Sequence, residues 1–180
     1  MTNIRAMVGF GSNYGSTKEI AVEIGNILRE DGWDVDVYDL GTARPMEPEA
    51  YDLFVIGSGI KMGSWSKDAL RFIKDNLDVL HRKRVALFVS CGDMLDPAKE
   101  EEARRKYIDE VAARFPGLTP SPTAVFGGVF DFTKYGIMVR GVMKNLRKEL
   151  EAKGVDTSEP YDFRDWGAIK EFARGLSGEH

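Results

Sequence analysis

The sequence is poor in the side chains that most enzyme chemistry and metal binding depend on. Its 180 residues include one cysteine, Cys91, and two histidines, His81 and His180. A single cysteine excludes an internal disulfide and a cysteine-only iron–sulfur or zinc site within one chain. His81 follows a helical pattern beside Arg82 and His180 is terminal, so neither predicts an acid–base catalyst. We expect no metal and no catalytic side chain, and any redox role then requires an organic cofactor.

Excess positive charge and long apolar runs are also missing. The chain has 25 Lys and Arg against 29 Asp and Glu, a net charge of −4 and a pI near 5.3. This balance argues against nucleic acid as a partner, because a phosphate backbone requires a basic surface. No apolar run approaches the roughly 18 residues of a transmembrane helix, and no cleavable signal pattern is present. We expect a single domain over residues 1–180, located in the cytoplasm.

Short apolar runs alternate with helical patterns along the chain. Five strands are predicted, at residues 4–10, 33–38, 53–56, 85–89 and 123–130. Helical spacing predicts helices at residues 18–30, 67–80, 99–115, 134–152 and 165–174. The alternation predicts an α/β fold, a doubly wound five-stranded parallel sheet of order 2-1-3-4-5 with helices on both faces.

The first strand and the first helix are joined by a loop of small and hydroxylated residues, 11–17. Its backbone N–H groups can close around an oxyanion, with the hydroxyls of Ser12, Ser16 and Thr17 and the helix dipole adding to the site. The loop lacks the Gly-Lys-Ser/Thr order of ATP-binding loops and the glycine spacing of dinucleotide-binding loops. A loop without arginine suits a terminal monophosphate. The alternative is that these residues only cap the helix.

Three segments resemble the flavin-binding loops of flavodoxins. Phe10-Gly11-Ser12-Asn13-Tyr14-Gly15-Ser16-Thr17 resembles their FMN-phosphate loop. Ser90-Cys91-Gly92-Asp93 is similar to the loop that borders the flavin ring, and Val55-Ile56-Gly57-Ser58 continuing to Trp65 resembles the other border. The resemblance implies a flavodoxin-like fold, noncovalently bound FMN, and electron exchange with redox partner proteins.

The loops after strands one, three and four of such a sheet meet where strand order reverses, and ligands bind there. Soft side chains at Met62, Trp65, Met94 and Leu95 could form walls for the ring, although flavodoxins usually place a tyrosine in the last of these loops. The expected FMN-binding residues are Ser12, Asn13, Tyr14, Gly15, Ser16, Thr17, Ser58, Gly59, Ile60, Lys61, Met62, Gly63, Trp65, Ser90, Cys91, Gly92, Asp93 and Met94.

Two acidic residues and the cysteine of the fourth loop allow further expectations. Asp93 and Asp96 are candidates for negative charge near the ring. We expect Cys91 to be a buried packing residue, with Asp93 raising its thiol pKa. A phosphoacceptor receiver domain shares this topology, but it requires an aspartate where this chain has Gly57-Ser58-Gly59.

Other motifs resemble the flavodoxin-like branch that includes the quinone-dependent protoporphyrinogen dehydrogenase. They are Ile56-Gly57-x-Gly59-Ile60-x-x-Gly63, Gly127-Gly128-x-Phe130-Asp131-Phe132-x-Lys134-Tyr135 and Tyr161-x-x-x-Asp165-Trp166. An electron carrier is the favoured function, since no acid–base side chain stands out. An FMN oxidoreductase acting on a quinone or porphyrinogen is the alternative, and a non-redox module that holds only an anion is a third.

The segment 130–146 is more apolar than one buried helix stripe requires. The predicted stripe is Tyr135, Met138, Val142, Leu146 and Leu150. Packing of this helix on the core is the favoured interpretation. A partner surface, a quinone site and a membrane face remain as alternatives.

Overall fold

Strands and helices alternate along the chain. The computed structural model describes residues 3–12 and 14–178. The strands are β1 (Arg5–Gly11), β2 (Asp34–Asp39), β3 (Leu53–Gly59), β4 (Arg84–Ser90), β5 (Thr123–Phe126), β6 (Val129–Phe130) and β7 (Tyr161–Asp162). The helices are α1 (Ser16–Glu30), α2 (Lys67–Asp75), α3 (Leu77–Leu80), α4 (Glu100–Arg104), α5 (Glu110–Ala112), α6 (Ile137–Ala152) and α7 (Trp166–Gly178), and a π-helical segment, Arg105–Asp109, joins α4 to α5.

The first five strands form one parallel sheet in the order β2-β1-β3-β4-β5, which confirms the predicted topology. Strands β1, β3 and β4 lie inside this sheet and are buried along almost their whole length, because a parallel sheet is covered on both faces. The strand order reverses between β1 and β3, because β2 is added on one side of β1 and β3, β4 and β5 are added on the other. The loops that follow these two strands therefore meet at the carboxyl edge.

Helices cover both faces of the sheet. On one face α1 and α7 pack on alternate strand residues, with Val8, Ile24 and Ile169 fully buried. On the other face α2 and the helical stretch 100–112 pack in the same way around Met7, with Phe72 buried beside it. The doubly wound arrangement is confirmed.

The predicted fifth strand is too long, and this expectation is corrected. Strand β5 ends at Phe126, and Val129–Phe130 leaves the sheet to pair antiparallel with Tyr161–Asp162. At the bend, a Cβ on Gly127 would lie 2.4 Å from the carbonyl oxygen of Phe163, so only glycine fits. The apolar pattern runs on through Val129 and Phe130 and does not reveal this departure.

Two predicted helix boundaries also change. The helix predicted over 67–80 is divided at Asn76, whose side-chain amide donates to the carbonyl of Phe72 at 2.9 Å. The last helix extends to Gly178, four residues beyond the prediction, and its additional turn buries Leu176.

The register predicted for α6 is wrong at Met138 and Val142 and right at Leu146 and Leu150, which pack as predicted. Met138 and Val142, assigned to the buried stripe, are 87% and 63% exposed, whereas Val139 and Met143 are half-buried. Tyr135 is buried as predicted, but it lies before the helix begins. Helical spacing counted from Tyr135 therefore selects the wrong face in the first two turns of the helix and the packed face in the last two.

Crossing a bilayer requires a helix that is both long and apolar. In the part of the chain that the structure describes, no helix meets this requirement.

Candidate functional site

A cleft of about 930 Å³ opens at the carboxyl edge of the sheet. It is bounded by the loops after β1, β3 and β4 and by residues of the segment 128–163. This volume is in the range of sites that bind ligands of cofactor size. Thirteen of the expected FMN-binding residues line it: Ser12, Tyr14, Ser16, Thr17, Gly59, Ile60, Lys61, Met62, Gly63, Ser90, Cys91, Gly92 and Asp93.

The loop after β1 is shaped by one glycine. Gly15 precedes α1 with φ of 89°, a left-handed conformation that glycine adopts without strain. Its backbone N–H donates to Ser12 Oγ at 3.0 Å. Ser16 and Thr17 then form the first turn of α1, and both line the cleft. The positive end of the helix dipole therefore lies at the cleft wall.

Thr17 carries a buried polar atom without a partner. Its side chain is fully buried, and its Oγ1 has no hydrogen bond to any described residue. Leaving a buried hydroxyl unpaired costs about 1 to 3 kcal/mol. A Cβ on Gly59 would lie 2.8 Å from this oxygen, so the loop after β3 approaches closely because it lacks a side chain there. A ligand oxyanion at this point would satisfy the hydroxyl, and the loop fits the phosphate of FMN.

The loop after β3 presents Met62 at the tip of a tight turn. Lys61 and Ser64 exchange both backbone hydrogen bonds, at 3.0 and 3.1 Å. Met62 and Gly63 between them have φ of 52° and 74°, the conformation of a type I′ turn. A left-handed methionine costs roughly 1 to 2 kcal/mol. The Met62 side chain is 71% exposed and lines the cleft.

The loop after β4 holds a buried thiol and a bonded carboxylate. Burial raises the pKa of the Cys91 thiol to about 11, and the negative charge of Asp93 adds to the rise. Cys91 is therefore a neutral packing residue at neutral pH, in agreement with its burial. The pKa of Tyr107 is raised by burial and by its hydrogen bond to Asp93.

Aromatic residues of the segment 128–163 form the opposite wall. The rings of Phe130 and Phe163 are stacked, with centroids 4.9 Å apart and planes inclined by 24°. Tyr135 meets Tyr14 of the first loop edge to face at 5.2 Å. A Cβ on Gly92 would lie 3.1 Å from the Phe130 ring, so the fourth loop also approaches because it lacks a side chain. A flat apolar wall of this kind suits a planar ring.

Arg164 connects this segment to the first loop. Its Nη1 donates to the carbonyl oxygen of Ser16 at 3.1 Å and to Glu19 at 2.6 Å, and its Nη2 donates to Asp162 at 2.6 Å. The side chain is only 6% exposed and lies over the ring of Trp166. Arg164 is not a residue of the first loop or of the cleft lining but lines the neighbouring cleft, so it supports the loop from outside. Arg164 and Ser16 are 148 positions apart in the sequence, which conceals the contact until the chain is folded.

Four expected site residues do not line this cleft, and a fifth lies outside the described residues. Trp65 is 4% exposed within the core, and its indole N–H donates to the carbonyl of Tyr107 at 2.7 Å. The indole ring lies in the core and its N–H is satisfied there, so the prediction that Trp65 forms a wall for the flavin ring is corrected. Ser58 is buried and accepts from the backbone N–H of Ser66 at 2.8 Å, while Met94 packs against the core. The other two residues are Gly15, which lines a neighbouring cleft, and Asn13, which lies outside the described residues.

Several cleft residues were not among the expected FMN-binding residues. They include Tyr107, Gly128, Val129, Val139, Met143, Tyr161 and Phe163. The excess of apolar residues in 130–146 was a signal for part of this set. No local pattern indicated that Phe163 lies in the wall, since it depends on the pairing of β6 with β7.

A parallel sheet of order 2-1-3-4-5 with an anion-binding loop after β1 and a flat-walled cleft defines the flavodoxin-like class of fold. The family model of the flavodoxin domain matches residues 7–157, and the chain belongs to this family. It is accordingly an FMN-binding protein of the electron-transfer type, and such proteins exchange electrons with redox partner proteins.

Individual proteins are also similar to this chain in sequence or in fold. The chain is 25% identical over 177 residues to protoporphyrinogen IX dehydrogenase [quinone] of Escherichia coli (strain K12), covering 97% of this chain and 95% of that protein. A short-chain flavodoxin associated with a PDU bacterial microcompartment superposes with a TM-score of 0.58 at 15% identity, covering 97% of both chains. A flavoprotein in complex with FMN from Lactobacillus acidophilus NCFM gives a TM-score of 0.50 at 15% identity, covering 68% of this chain and 93% of that one.

Proposed function

We propose that the whole chain, residues 1–180, is a single FMN domain that carries electrons between partner proteins. Within it, residues 12–17 hold the FMN phosphate, and the loops 59–63 and 90–93 border the ring. The observation that supports this most directly is the buried, unpaired hydroxyl of Thr17 at the start of α1. It is a polar group for which the protein provides no partner within the described chain.

The roles of the cleft residues follow from their chemistry. When bound, FMN supplies one-electron and two-electron transfer. The backbone N–H groups and hydroxyls of the first loop bind and orient the phosphate. The aromatic wall around Phe130 excludes water from one side. Asp93 and Asp96, which both line the cleft, disfavour additional negative charge inside it.

The carrier function is supported by the kinds of side chain that line the cleft, judged by their ability to transfer protons. No histidine is among the described residues that line it, and Asp93 is already bonded to Tyr107. Burial keeps Cys91 protonated. An enzyme that moves protons requires a group that titrates near the working pH, whereas a carrier requires none.

A dehydrogenase acting on a quinone or a porphyrinogen is the second candidate. The apolar wall formed by Tyr135, Val139 and Met143 favours it, since such a surface could position a flat hydrophobic substrate. The E. coli relative of similar length carries the name of such an enzyme.

Electron transfer from photoreduced protein distinguishes the two functions. A carrier is expected to reduce ferric cytochrome c, a basic protein acceptor, at a rate that falls as salt screens the encounter. It should turn over quinones and protoporphyrinogen slowly, and Tyr135→Ala should leave these rates unchanged.

Rapid turnover of protoporphyrinogen or a quinone would contradict the carrier function if Tyr135→Ala reduces it while FMN stays bound. Met46→Ala, at a fully exposed site, is the control that should change neither reaction. Failure to bind any flavin would leave only the anion-binding module.

A further inference from the structure

The outward face of α6 exposes aliphatic side chains. Ile137 is 90% exposed, and Met138 and Val142 follow at 87% and 63%. Single exposed aliphatic residues are ordinary on protein surfaces. Here three of them lie within the first two turns of one helix, and Gly141 leaves no side chain to cover them.

The opposite face of α6 is already used by the protein. Val139, Met143, Leu146 and Leu150 pack into a small apolar cluster with Phe132 and Tyr135, and several of them line the cleft. At 100° per residue, these positions lie on the side of the helix away from Ile137. We call Ile137, Met138 and Val142 the outer patch of α6.

Cations adjoin the outer patch. Residues 134–153 contain six Lys and Arg and two Glu, whereas the remaining 160 residues contain 19 Lys and Arg and 27 Asp and Glu. Both glutamates are paired, Glu149 with Lys153 and Glu151 with Arg147. Arg140, Lys144 and Lys148 form no salt bridge with another described residue, and Lys144 and Lys148 are exposed. A basic helix thus projects from an otherwise acidic protein.

We propose that the outer patch of α6 docks on the surface of an anionic lipid bilayer. A helix with aliphatic side chains flanked by lysine and arginine is suited to the interface of such a membrane. The acidic remainder of the molecule is repelled by the same surface, which fixes the orientation with α6 against the lipid.

A lipid surface fits the outer patch better than a protein partner does. A stable protein interface buries about 800 Å² on each side and centres on aromatic or arginine anchors set in pockets. The patch has three separate aliphatic side chains and no aromatic residue. Individual aliphatic side chains enter a fluid lipid layer without any need for a matching shape.

Docking through the outer patch would place the cleft close to the membrane. Tyr135, Val139 and Met143 line the cleft on the inner side of the same segment. The cleft would then lie about one helix diameter, roughly 10 Å, from the membrane surface. The proposal itself rests on α6 and does not depend on which redox function is correct.

Flotation of the full-length protein with vesicles tests the proposal. The protein is expected to float with equimolar phosphatidylglycerol–phosphatidylcholine vesicles, and not with pure phosphatidylcholine, at low salt. Ile137→Ser/Met138→Ser is expected to weaken binding roughly tenfold, because the apolar contribution is lost. Lys144→Glu/Lys148→Glu is expected to weaken it by at least roughly fivefold for each cation. These side chains are exposed, so the circular dichroism and melting temperature should stay unchanged.

Two matched controls isolate the patch. Met46→Ser removes a methionine that is 97% exposed elsewhere, and Lys67→Glu/Lys74→Glu reverses two exposed lysines on α2. The methionine control should bind as the unmodified protein does, and the lysine control should change binding far less than the α6 pair.

Three results would overturn the proposal. The first is failure of the protein to float with the anionic vesicles at low salt. The second is equal binding by the patch variants and their controls. The third is a dimer in solution that Ile137→Ser/Met138→Ser dissociates, which would assign the patch to a second copy of this chain.

Discussion

The buried hydroxyl of Thr17 affects the stability of the free protein and the affinity for the ligand in opposite directions. Its hydroxyl is buried at the start of α1 without a partner among the described residues, and in the free protein this is a loss of stability. An FMN phosphate would supply the missing acceptor. Stability of the apoprotein and affinity for FMN should therefore change in opposite directions when the hydroxyl is removed.

We predict that Thr17→Val stabilises the apoprotein by about 1 kcal/mol, because an unsatisfied polar group is replaced by a methyl group of similar size. The same change should weaken FMN binding by roughly 10- to 100-fold, since a hydrogen bond to a charged group contributes about 1.5 to 3 kcal/mol. Urea unfolding of the apoprotein and fluorescence titration with FMN measure the two effects.

Thr157 is the matched control for this experiment. It is also buried, but its hydroxyl donates to Glu151 and accepts from Arg147 Nε at 3.0 Å. Thr157→Val should destabilise the protein by about 1 to 2 kcal/mol and leave FMN affinity unchanged. An unchanged FMN affinity in Thr17→Val would remove Thr17 from the phosphate site.

The raised pKa of the Cys91 thiol predicts that the stability of the protein changes with pH. Its pKa is raised by burial to about 11 in the folded protein, from about 9 when unfolded. The stabilisation by the buried neutral thiol is complete below pH 9 and is lost as the pH rises towards 11. The stability difference between the unmodified protein and Cys91→Ala should therefore shrink by up to about 2 kcal/mol between pH 8 and pH 11. A constant difference across that range, measured by urea unfolding, would show that the thiol does not titrate there.

At the scale of elements, the junction between β7 and α7 supports the first loop. Arg164 is nearly buried and bonds Asp162, Glu19 and the carbonyl of Ser16 at once. We therefore expect Arg164 to fix the position of the loop in addition to stabilising the fold.

Arg164→Gln should destabilise the protein by about 1 to 2 kcal/mol, because the nearly buried guanidinium loses its hydrogen bonds while the two exposed carboxylates stay solvated. It should also weaken FMN binding by roughly tenfold as the loop loosens. Arg164→Lys should restore little of either property, since an ammonium group cannot form the same set of planar contacts. Thermal melts and FMN titration measure these changes.

Arg82→Gln is the control for Arg164. Its partner Glu49 is exposed, so breaking that pair should cost less than about 1 kcal/mol and leave binding unchanged. If Arg164→Gln binds FMN as tightly as Arg82→Gln does, Arg164 is a structural residue only.

Elements whose apolar pattern is dictated by burial were predictable from the sequence. Strands β3 and β4 are buried on both faces, and their uninterrupted apolar runs show this directly. Helix α6 was not predictable in the same way, because both of its faces carry apolar residues and only one packs. Strand β6 was hidden because it continues the apolar run of β5 past two glycines.

At the scale of the whole molecule, the parallel topology brings distant loops to one edge. The first, third and fourth loops could be located from the sequence because the strand order places them together. The positions of Phe163 and Arg164 could not, since the β6–β7 pairing brings Phe163 into the cleft wall and Arg164 beside the first loop. Trp65 was misplaced because its chain position beside the cleft does not reveal which way the indole points.

The central claim is that the first loop binds the phosphate of FMN, and comparing FMN with riboflavin tests it most directly. Both ligands carry the same ring, and only FMN carries the phosphate. Titration of the apoprotein, followed by quenching of flavin fluorescence, should give one FMN per chain and an affinity for riboflavin at least about 100-fold weaker, because charge-assisted hydrogen bonds to the phosphate are lost. Equal affinities for the two ligands, or no binding of FMN, would contradict the claim.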